Sequence, residues 1–397
     1  MRIAFMMAQQ HLIIAGGIGQ FAKAFMGMAK DHDWEVDFIL DKYDSDRSMD
    51  LMRTLPTQPY LFTPDKPLGY GNHQECLENR HKDGLNFERE INFRQSLFKA
   101  LQCGRKYDFI LCNTPEAILP VYALGLTDVI PTMYYTHNEN FVSDYDGVGP
   151  FSHEYDEVYR NVMKLPRLLI GTQSLRNVEY LKKHYEQVFH LPMPLADFEV
   201  AEDYNGPKEG VLFVGRWEDR KNPELFVKVV KDLQCPVKVM TNALGKSKFE
   251  AALKEAGIQK YEIFTDVFGK AKADLIKSST VFFNPSKKES FSYATLECLG
   301  HCHVVTLDDY DWQKGFTGFV DFDTLSITSK KGVRELIQKK LQTPATSSAN
   351  ALRFYHGLAV GTWIGLFLGT LRDMPYKRQK SVPQLKKTPE QGVASLW

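Results

Sequence analysis

Ile3-Ala-Phe-Met-Met7, Gly16-Gly-Ile-Gly19, the stretch Phe21 to Ala29 and Val36-Asp-Phe-Ile-Leu40 follow one another within the first forty residues or so. An apolar run, a glycine turn, apolar residues at helical spacing and a second apolar run read as strand, turn, helix, strand. That order is a βαβ unit and commits the sheet to be parallel, because a helical crossover brings the second strand back in the same direction. Further along, a helix near Phe87 to Leu101 precedes strands at Asp108 to Cys112, Thr132 to Tyr135 and Leu168 to Ile170. Residues 41–87 break the rhythm with Pro56, Pro59, Pro64 and Pro67, and read as an insertion or a long loop at the site.

The pattern stops near Leu191-Pro-Met-Pro-Leu195, and the breaker-rich Ala201-Glu-Asp-Tyr-Asn-Gly-Pro207 reads as a linker. A second βα series follows it. Val211 to Val214 precedes a helix Pro223 to Leu233, Val237 to Met240 precedes Lys246 to Ala256, and Tyr261 to Phe264 precedes Lys270 to Ser278. Thr280 to Phe283 precedes Tyr293 to Gly300, and His303 to Leu307 closes the series. Two parallel α/β halves bind ligands at the carboxyl ends of their strands, so the expected site lies in the cleft between them. A last helical stretch, Ala351 to Leu371, is apolar nearly all round and is expected to be buried.

Composition narrows the function. The 397 residues, 43% hydrophobic, exclude a disordered chain and suit two to three domains. With 49 basic and 49 acidic residues, no global field draws the chain to nucleic acid or acidic lipid, so any polyanion binding is local. The apolar run Gly357 to Thr370 is shorter than the roughly 20 residues of a membrane span. The start MRIAFMMAQQ reads as a first strand rather than a signal peptide, and the expected compartment is the cytoplasm. The six cysteines form no CxxC pair and read as free thiols.

Three features carry the chemistry. Gly16, Gly17 and Gly19 sit between a strand and a helix, where small residues let backbone N–H groups approach a phosphate or a sugar. A tight turn with no ligand needs the same glycines. Second, Gly215 releases the chain from a strand, Arg216 follows at once, and Lys221 comes where the next helix begins. Two fixed cations there suit a diphosphate that gains charge as it leaves, although an exposed charged turn reads similarly. Third, Glu289 and Glu297 straddle a turn and a helix start, with Ser290, Phe291, Ser292 and Tyr293 between them. Both carboxylates are expected to face the cleft while the amides near Phe291 to Tyr293 point at an anion.

Together these features resemble the retaining nucleotide-sugar glycosyltransferases of the GT-B fold, the glycosyl transferases group 1 type. The resemblance rests on the glycine turn, the G-R-x(4)-K element at Gly215, Arg216 and Lys221, and the E-x(7)-E element at Glu289 and Glu297. It implies two Rossmann-like parallel-sheet domains facing across a cleft, with a C-terminal helix returning to the first. Residues 1–195 then form the acceptor-side domain with its insertion at 41–87, and residues 196–350 the nucleotide-sugar domain. Residues 351–373 form the returning helix and 374–397 a basic tail. The resemblance further implies that Arg216 and Lys221 hold the donor diphosphate, that Glu297 bonds the ribose, and that Glu289 and His137 face the transferred sugar. Gly16, Gly17, Gly19, Ser290, Phe291, Ser292 and Tyr293 complete the donor site. No metal and no resident cofactor is implied. The chain departs from the family with Ser290 and Ser292 in place of glycines, and with Cys302 and Val304 in place of glycine and proline. Larger side chains there shrink the space around the donor sugar.

Other constellations are weaker. The D-x-D pairs Asp44/Asp46, Asp144/Asp146 and Asp321/Asp323 follow no clear strand, and Mg²⁺ needs oxygen ligands on a defined scaffold. Cys298, His301, Cys302 and His303 read as core packing rather than zinc ligands. For the acceptor, the chain is similar in organisation to bacteriophage enzymes that glycosylate hydroxymethylated cytosine, which points to duplex DNA and, for a phage protein, to the host cytoplasm. The tail carries Lys377, Arg378, Lys380, Lys386 and Lys387 against Glu390, a net +4 before the terminal carboxylate. Arg80, Lys82, Arg89, Arg94, Lys99, Arg105 and Lys106 border the insertion, which offers Tyr70, His73, His81 and Phe87 to an extruded base. A lipid, saccharide or small-molecule acceptor stays open, as do a catalytically silent nucleotide-sugar-binding protein and a nucleotide-sugar epimerase of the same fold.

Overall fold

A computed structural model describes residues 1–9, 17–42, 52, 55–67, 85–137, 161–195, 206–267, 269–287, 289, 291–307, 325–344 and 349–373. Gly16, Ser290, Lys288, all six aspartates of the D-x-D pairs, Tyr70, His73, His81, Arg80, Lys82 and the tail from 374 lie outside them.

The first sheet is built from β1 (Arg2–Met7), β2 (Glu35–Leu40), β3 (Tyr60–Phe62), β4 (Phe109–Cys112), β5 (Thr132–Thr136), β6 (Leu168–Thr172) and β7 (Val188–His190). Its strands run in the order β3-β2-β1-β4-β5-β6-β7, every neighbouring pair parallel. The central strands are buried on both faces, which is why they read as unbroken apolar runs. Among its helices are α1 (Gly17–Asp31), α2 (Leu85–Gln102), α3 (Ile118–Ala123) and α4 (Leu175–Leu181). Helix α1 begins earlier than the sequence suggests: Gly17 and Gly19 lie in its first turn rather than in a preceding loop, and Gly19 is buried. Among the described residues, a Cβ at Gly17 would meet nothing within 4 Å.

The second sheet repeats the plan with β8 (Val211–Val214), β9 (Val237–Thr241), β10 (Tyr261–Thr265), β11 (Val281–Asn284), β12 (His303–Leu307) and β13 (Leu325–Thr328). The order is β10-β9-β8-β11-β12-β13, again parallel. Helices α5 (Pro223–Val230), α6 (Ala243–Glu255), α7 (Gly269–Lys277), α8 (Tyr293–Leu299) and α9 (Val333–Leu341) accompany it. In both sheets the order reverses beside the first strand, at β1/β4 and at β8/β11, which opens a crevice at the carboxyl edge. Gly210 starts the second sheet at φ +75°, where a Cβ would stand 2.2 Å from the Pro236 carbonyl oxygen, so only glycine fits.

Helix α10 (Ala349–Asp373), the last described element, ties the halves together. Leu352, Tyr355, Ala359, Trp363 and Phe367 join one core with Phe21, Phe25 and Phe109 of the first sheet's side and Tyr293, Leu296 and Leu299 of α8. Five consecutive residues before the linker are each held by a side chain, four of them buried and the fifth, His356, half-buried. Tyr135 donates to the Leu191 carbonyl at 2.9 Å, Trp363 to Pro192 at 2.9 Å, Tyr355 to Met193 at 2.8 Å and Tyr293 to Pro194 at 3.1 Å. The Leu195 N–H donates to His356 Nδ1 at 3.1 Å. Burial pushes the His356 imidazole below its ordinary range, which favours the neutral ring whose nitrogen accepts that bond. The prolines at 192 and 194 and the burial of this segment explain the pattern: carbonyls without a strand partner are satisfied by side chains.

The expectation that this helix is buried all round is corrected. Phe354, Leu358 and Leu368 are exposed, because α10 lies along the protein and only one stripe reaches the core. Leu352–Arg372 is nonetheless long and apolar enough to cross a membrane by length and composition, since the residues flanking the apolar run lengthen it. Its inner face belongs to the core just described.

Candidate functional site

The loops after β8 and β11, adjacent strands of the second sheet, build the centre of the site. After Val214 the chain turns at Gly215 and winds through a 3₁₀ turn, Asp219–Lys221, into α5. A Cβ on Gly215 would sit 3.3 Å from the Phe213 ring and in ordinary contact, 3.6 Å, with Lys221 Cδ. Asn222, at φ 52°, occupies the left-handed region that asparagine tolerates and donates through Nδ2 to the Pro285 carbonyl at 3.2 Å. The Lys287 N–H donates to the Arg220 carbonyl at 2.8 Å. These two bonds fix the loops against each other.

Across that junction Lys221 Nζ lies 2.5 Å from Glu289 Oε1, with side chains 19% and 3% exposed. Ser286 Oγ stands 2.8 Å from the same carboxylate oxygen and 2.7 Å from Asn284 Oδ1. Asn284 Nδ2 donates to Thr295 Oγ1 at 3.1 Å, and Thr295 Oγ1 to Ser292 Oγ at 2.8 Å. Ser292 caps α8 by accepting from Thr295 N–H. A buried polar chain thus runs from the lysine through Glu289 to the start of α8. Arg216 is placed differently from Lys221: half-exposed, it pairs with Glu218 at 3.0 Å.

Glu297 lies in the second turn of α8 and is held by Lys272 of α7, whose Nζ is 2.6 Å from Oε2 and 2.8 Å from Oε1. Phe291 and Tyr293 meet edge to face at 5.1 Å, with Tyr293 buried. From the first sheet, His137 follows β5 at the carboxyl edge. Its Nε2 is hydrogen-bonded to Asn113 Oδ1, and Gln173 Nε2 donates to its carbonyl at 2.9 Å. Phe21 and Tyr135 meet its ring edge to face at 5.0 and 4.8 Å. The structure thus brings Lys221 into contact with Glu289, while Arg216 and Glu297 each have a separate ionic partner.

Sequence reading missed Lys272, Ser286, Asn284, Asn113 and Gln173 as contributors. Asn284-Pro285-Ser286 carried a signal, a side-chain turn at a strand end. Lys272 and Asn113 carried none. Three residues of the basic cluster around α2 have acidic partners within the chain. Arg89 is locked between Asp41 and Glu116 at 3.2 and 3.0 Å, Lys99 pairs with Asp65 at 2.5 Å, and Arg105 pairs with Asp37 at 3.4 Å while stacking on Tyr60. Cys298 and Cys302 are buried in the core, His303 bonds the Thr343 carbonyl, and among the described residues no group of His, Cys, Asp and Glu is arranged to hold a metal ion.

Comparison with known proteins adds two findings and one absence. Residues 208–308 match the family described as Glycosyl transferases group 1, and this span contains Gly215, Arg216, Lys221, Glu289 and Glu297. Sucrose-phosphate synthase from Thermosynechococcus elongatus superposes with a TM-score of 0.62 at 15% identity, over 94% of this chain and 97% of that one. WaaG, a glycosyltransferase of lipopolysaccharide biosynthesis, gives 0.61 at 12% identity over 94% and 99%. HepE from Anabaena, solved with UDP-glucose, gives 0.59 at 14% identity over 94% and 99%. No curated protein sequence matches the chain. At such identities the likeness speaks for architecture, and the chain has the GT-B fold, with a glycosyl transferases group 1 match across most of its second sheet.

Proposed function

We propose that the chain is a retaining glycosyltransferase that moves a sugar from a nucleoside diphosphate donor to an acceptor hydroxyl without a metal ion or resident cofactor. The observation that carries this reading is the Lys221–Glu289 pair, its carboxylate buried, where the loops after β8 and β11 meet, inside the region matched to glycosyl transferases group 1. Lys221, with Arg216 swinging from Glu218, takes the leaving diphosphate; Glu289 and His137 flank the transferred sugar. Glu297 bonds the ribose, exchanging part of its contact with Lys272 for hydroxyl donors. Gly16, Gly17, Gly19, Gly215, Ser290, Phe291, Ser292 and Tyr293 line the donor. In the front-face reaction the bond from the anomeric carbon to the diphosphate oxygen breaks. That oxygen takes the acceptor proton, and the acceptor oxygen bonds the same face of the sugar. Fixed cations stabilise the charge that develops on the diphosphate, and closure of the cleft keeps water out.

Thermal-shift screening of UDP, GDP and ADP tests donor recognition: the matching nucleotide at 100 times its Kd stabilises by about 2.7 kcal/mol. No response to any nucleoside diphosphate or nucleotide sugar overturns the reading. Turnover is expected to survive EDTA, and a loss restored by Mg²⁺ or Mn²⁺ contradicts the metal-free mechanism. Glu297→Ala is expected to weaken the nucleotide by about 1.5–3 kcal/mol, the range for hydrogen bonds to a charged group. Calorimetry showing unchanged affinity removes Glu297 from the site. Slow donor hydrolysis without acceptor distinguishes the enzyme from a silent binding protein.

The acceptor we propose is hydroxymethylated cytosine in duplex DNA, in the cytoplasm of a host cell. It is supported by the +4 tail; the basic residues of α2 and the loop after it lend it little, since Arg89, Lys99 and Arg105 are paired internally. Binding to duplex is expected to fall steeply with salt as phosphate contacts release counterions, and deleting residues 374–397 to flatten that slope. Absence of binding at about 50 mM salt, or efficient transfer to a lipid or saccharide, replaces DNA and leaves the transferase reading intact.

A further inference from the structure

Tyr293 opens α8 directly after its cap, Ser292, and its ring lies in the joint core. The phenol donates to the Pro194 carbonyl at 3.1 Å, across a separation of 99 residues. That acceptor belongs to the first domain. The Leu191 N–H still donates to the Thr172 carbonyl of β6 at 2.8 Å, and Tyr135 of β5 holds the Leu191 carbonyl. Tyr355 and Trp363, which hold Met193 and Pro192, come from α10, and Trp363 packs on Phe21 and Phe25 of α1. Among the described side chains bonded to this segment, Tyr293 alone comes from a helix of the second sheet.

The other end of α8 bears on α10, where a Cβ at Gly300 would stand 3.0 Å from Leu352 Cδ1. Between these two contacts the helix carries Glu297, and its cap Ser292 joins the polar chain that ends on Glu289 and Lys221. A phenylalanine ring would fill the same core space and leave the Pro194 carbonyl without that partner, so the hydroxyl does something packing does not. Burial pushes the phenol well above its ordinary range, which keeps it an O–H donor. We propose that Tyr293 is a positioning residue that ties α8 to the first domain at Pro194, so that a donor held by the second domain meets the first domain in one register. This rests on the donor reading above. Lys221, Arg216 and Glu297 all lie on the second domain, so donor affinity does not depend on the tie. Bringing the bound sugar to His137 across the cleft does.

Tyr293→Phe and Tyr355→Phe test the proposal together: each removes one buried phenol hydroxyl from neighbouring carbonyls, and only the first bond starts from α8. Nitroxides at Cys103, exposed after α2, and at Lys254→Cys, on an exposed position of α6, report the distance between the domains by pulsed electron spin resonance. Cys76→Ser and Cys235→Ser limit labelling to those two sites. Wild-type protein is expected to show one narrow distance, Tyr293→Phe a broadened one, and Tyr355→Phe the wild-type distribution. With UDP-glucose as the probe donor, Tyr293→Phe is expected to lower kcat for cleavage about tenfold, while its Kd for UDP by calorimetry changes less than about twofold. Tyr355→Phe is expected to leave both within about twofold of wild type. A wild-type distance distribution in Tyr293→Phe overturns the proposal. Equal broadening in both variants, or kinetic losses that track Tm in both, also overturns it, since general loosening of the segment would account for them. A UDP Kd that rises in step with the loss of kcat overturns it too, because the hydroxyl then acts within the donor site and not between the domains. If wild-type protein cleaves no nucleotide sugar, the donor reading fails while the distance distributions still decide the role of Tyr293.

Discussion

Lys221→Ala is expected to lower kcat for donor cleavage about 100- to 1,000-fold, the range seen when one fixed donor to a developing negative charge is removed. KM is expected to change less, because the diphosphate gains charge on the way to the transition state and the lysine matters most there. Arg216→Ala is expected to cost less than Lys221→Ala: its guanidinium is half-exposed and shared with Glu218, whereas Lys221 is largely buried. If the two cations clamp one group, the double variant falls short of the product of the single effects. Lys221 also neutralises a carboxylate that is 3% exposed, so the variant is expected to lose about 3 kcal/mol of stability. Adding Glu289→Gln should return part of that stability, since Ser286 can still bond an amide there, without returning turnover. Single-turnover kinetics and denaturation on the four proteins separate the two roles. Wild-type kcat in Lys221→Ala removes the lysine from the chemistry.

What was legible in the sequence follows from where each interaction lives along the chain. β1, β4, β5, β8 and β12 are buried on both faces, so each announces itself as a continuous apolar run. The edge strands β3 and β7, three residues each, exist through pairing with β2 and β6 and carry no period of their own. Helix α9 does carry a short apolar stripe, Val333, Leu336, Ile337 and Leu341, that packs on the second sheet's core, and the sequence reading passed it over. The same distinction governs the site. Gly215, Arg216 and Lys221 share one turn, and Glu289 and Glu297 share one loop and helix, so their spacing is visible in sequence. The pairings Lys272–Glu297 and Asn113–His137 join different strand ends and become visible only when the sheet order is known. Arg89 shows the reverse case: a lysine- and arginine-rich stretch suggested a surface for polyanions, yet two buried carboxylates brought by β2 and β4 claim it.

Trp363→Ala is expected to destabilise the protein by about 3–5 kcal/mol, the range for removing a large aromatic from a packed core. The ring is fully buried and lies 5.1 Å from Tyr135, 5.5 Å from Phe21, 5.7 Å from Phe367 and 5.8 Å from Phe25. No backbone shift of α10 alone refills that space, since neighbours on the same helix, Tyr355 and Phe367, are pinned by a hydrogen bond and by Phe109. The indole N–H also satisfies the Pro192 carbonyl, which has no strand partner; Trp363→Phe isolates that bond and is expected to cost about 1–3 kcal/mol. Leu368→Ala on the outer face, 58% exposed, is the control and is expected to change stability by no more than about 0.5 kcal/mol. Because α10 and Tyr293 clamp the same five-residue segment before the linker, loosening the helix frees both domains together. Trp363→Ala should therefore lower turnover at temperatures below its unfolding transition, whereas Leu368→Ala should not. Equal stabilities of the Trp363 and Leu368 variants would place the joint core elsewhere than on the inner face of α10.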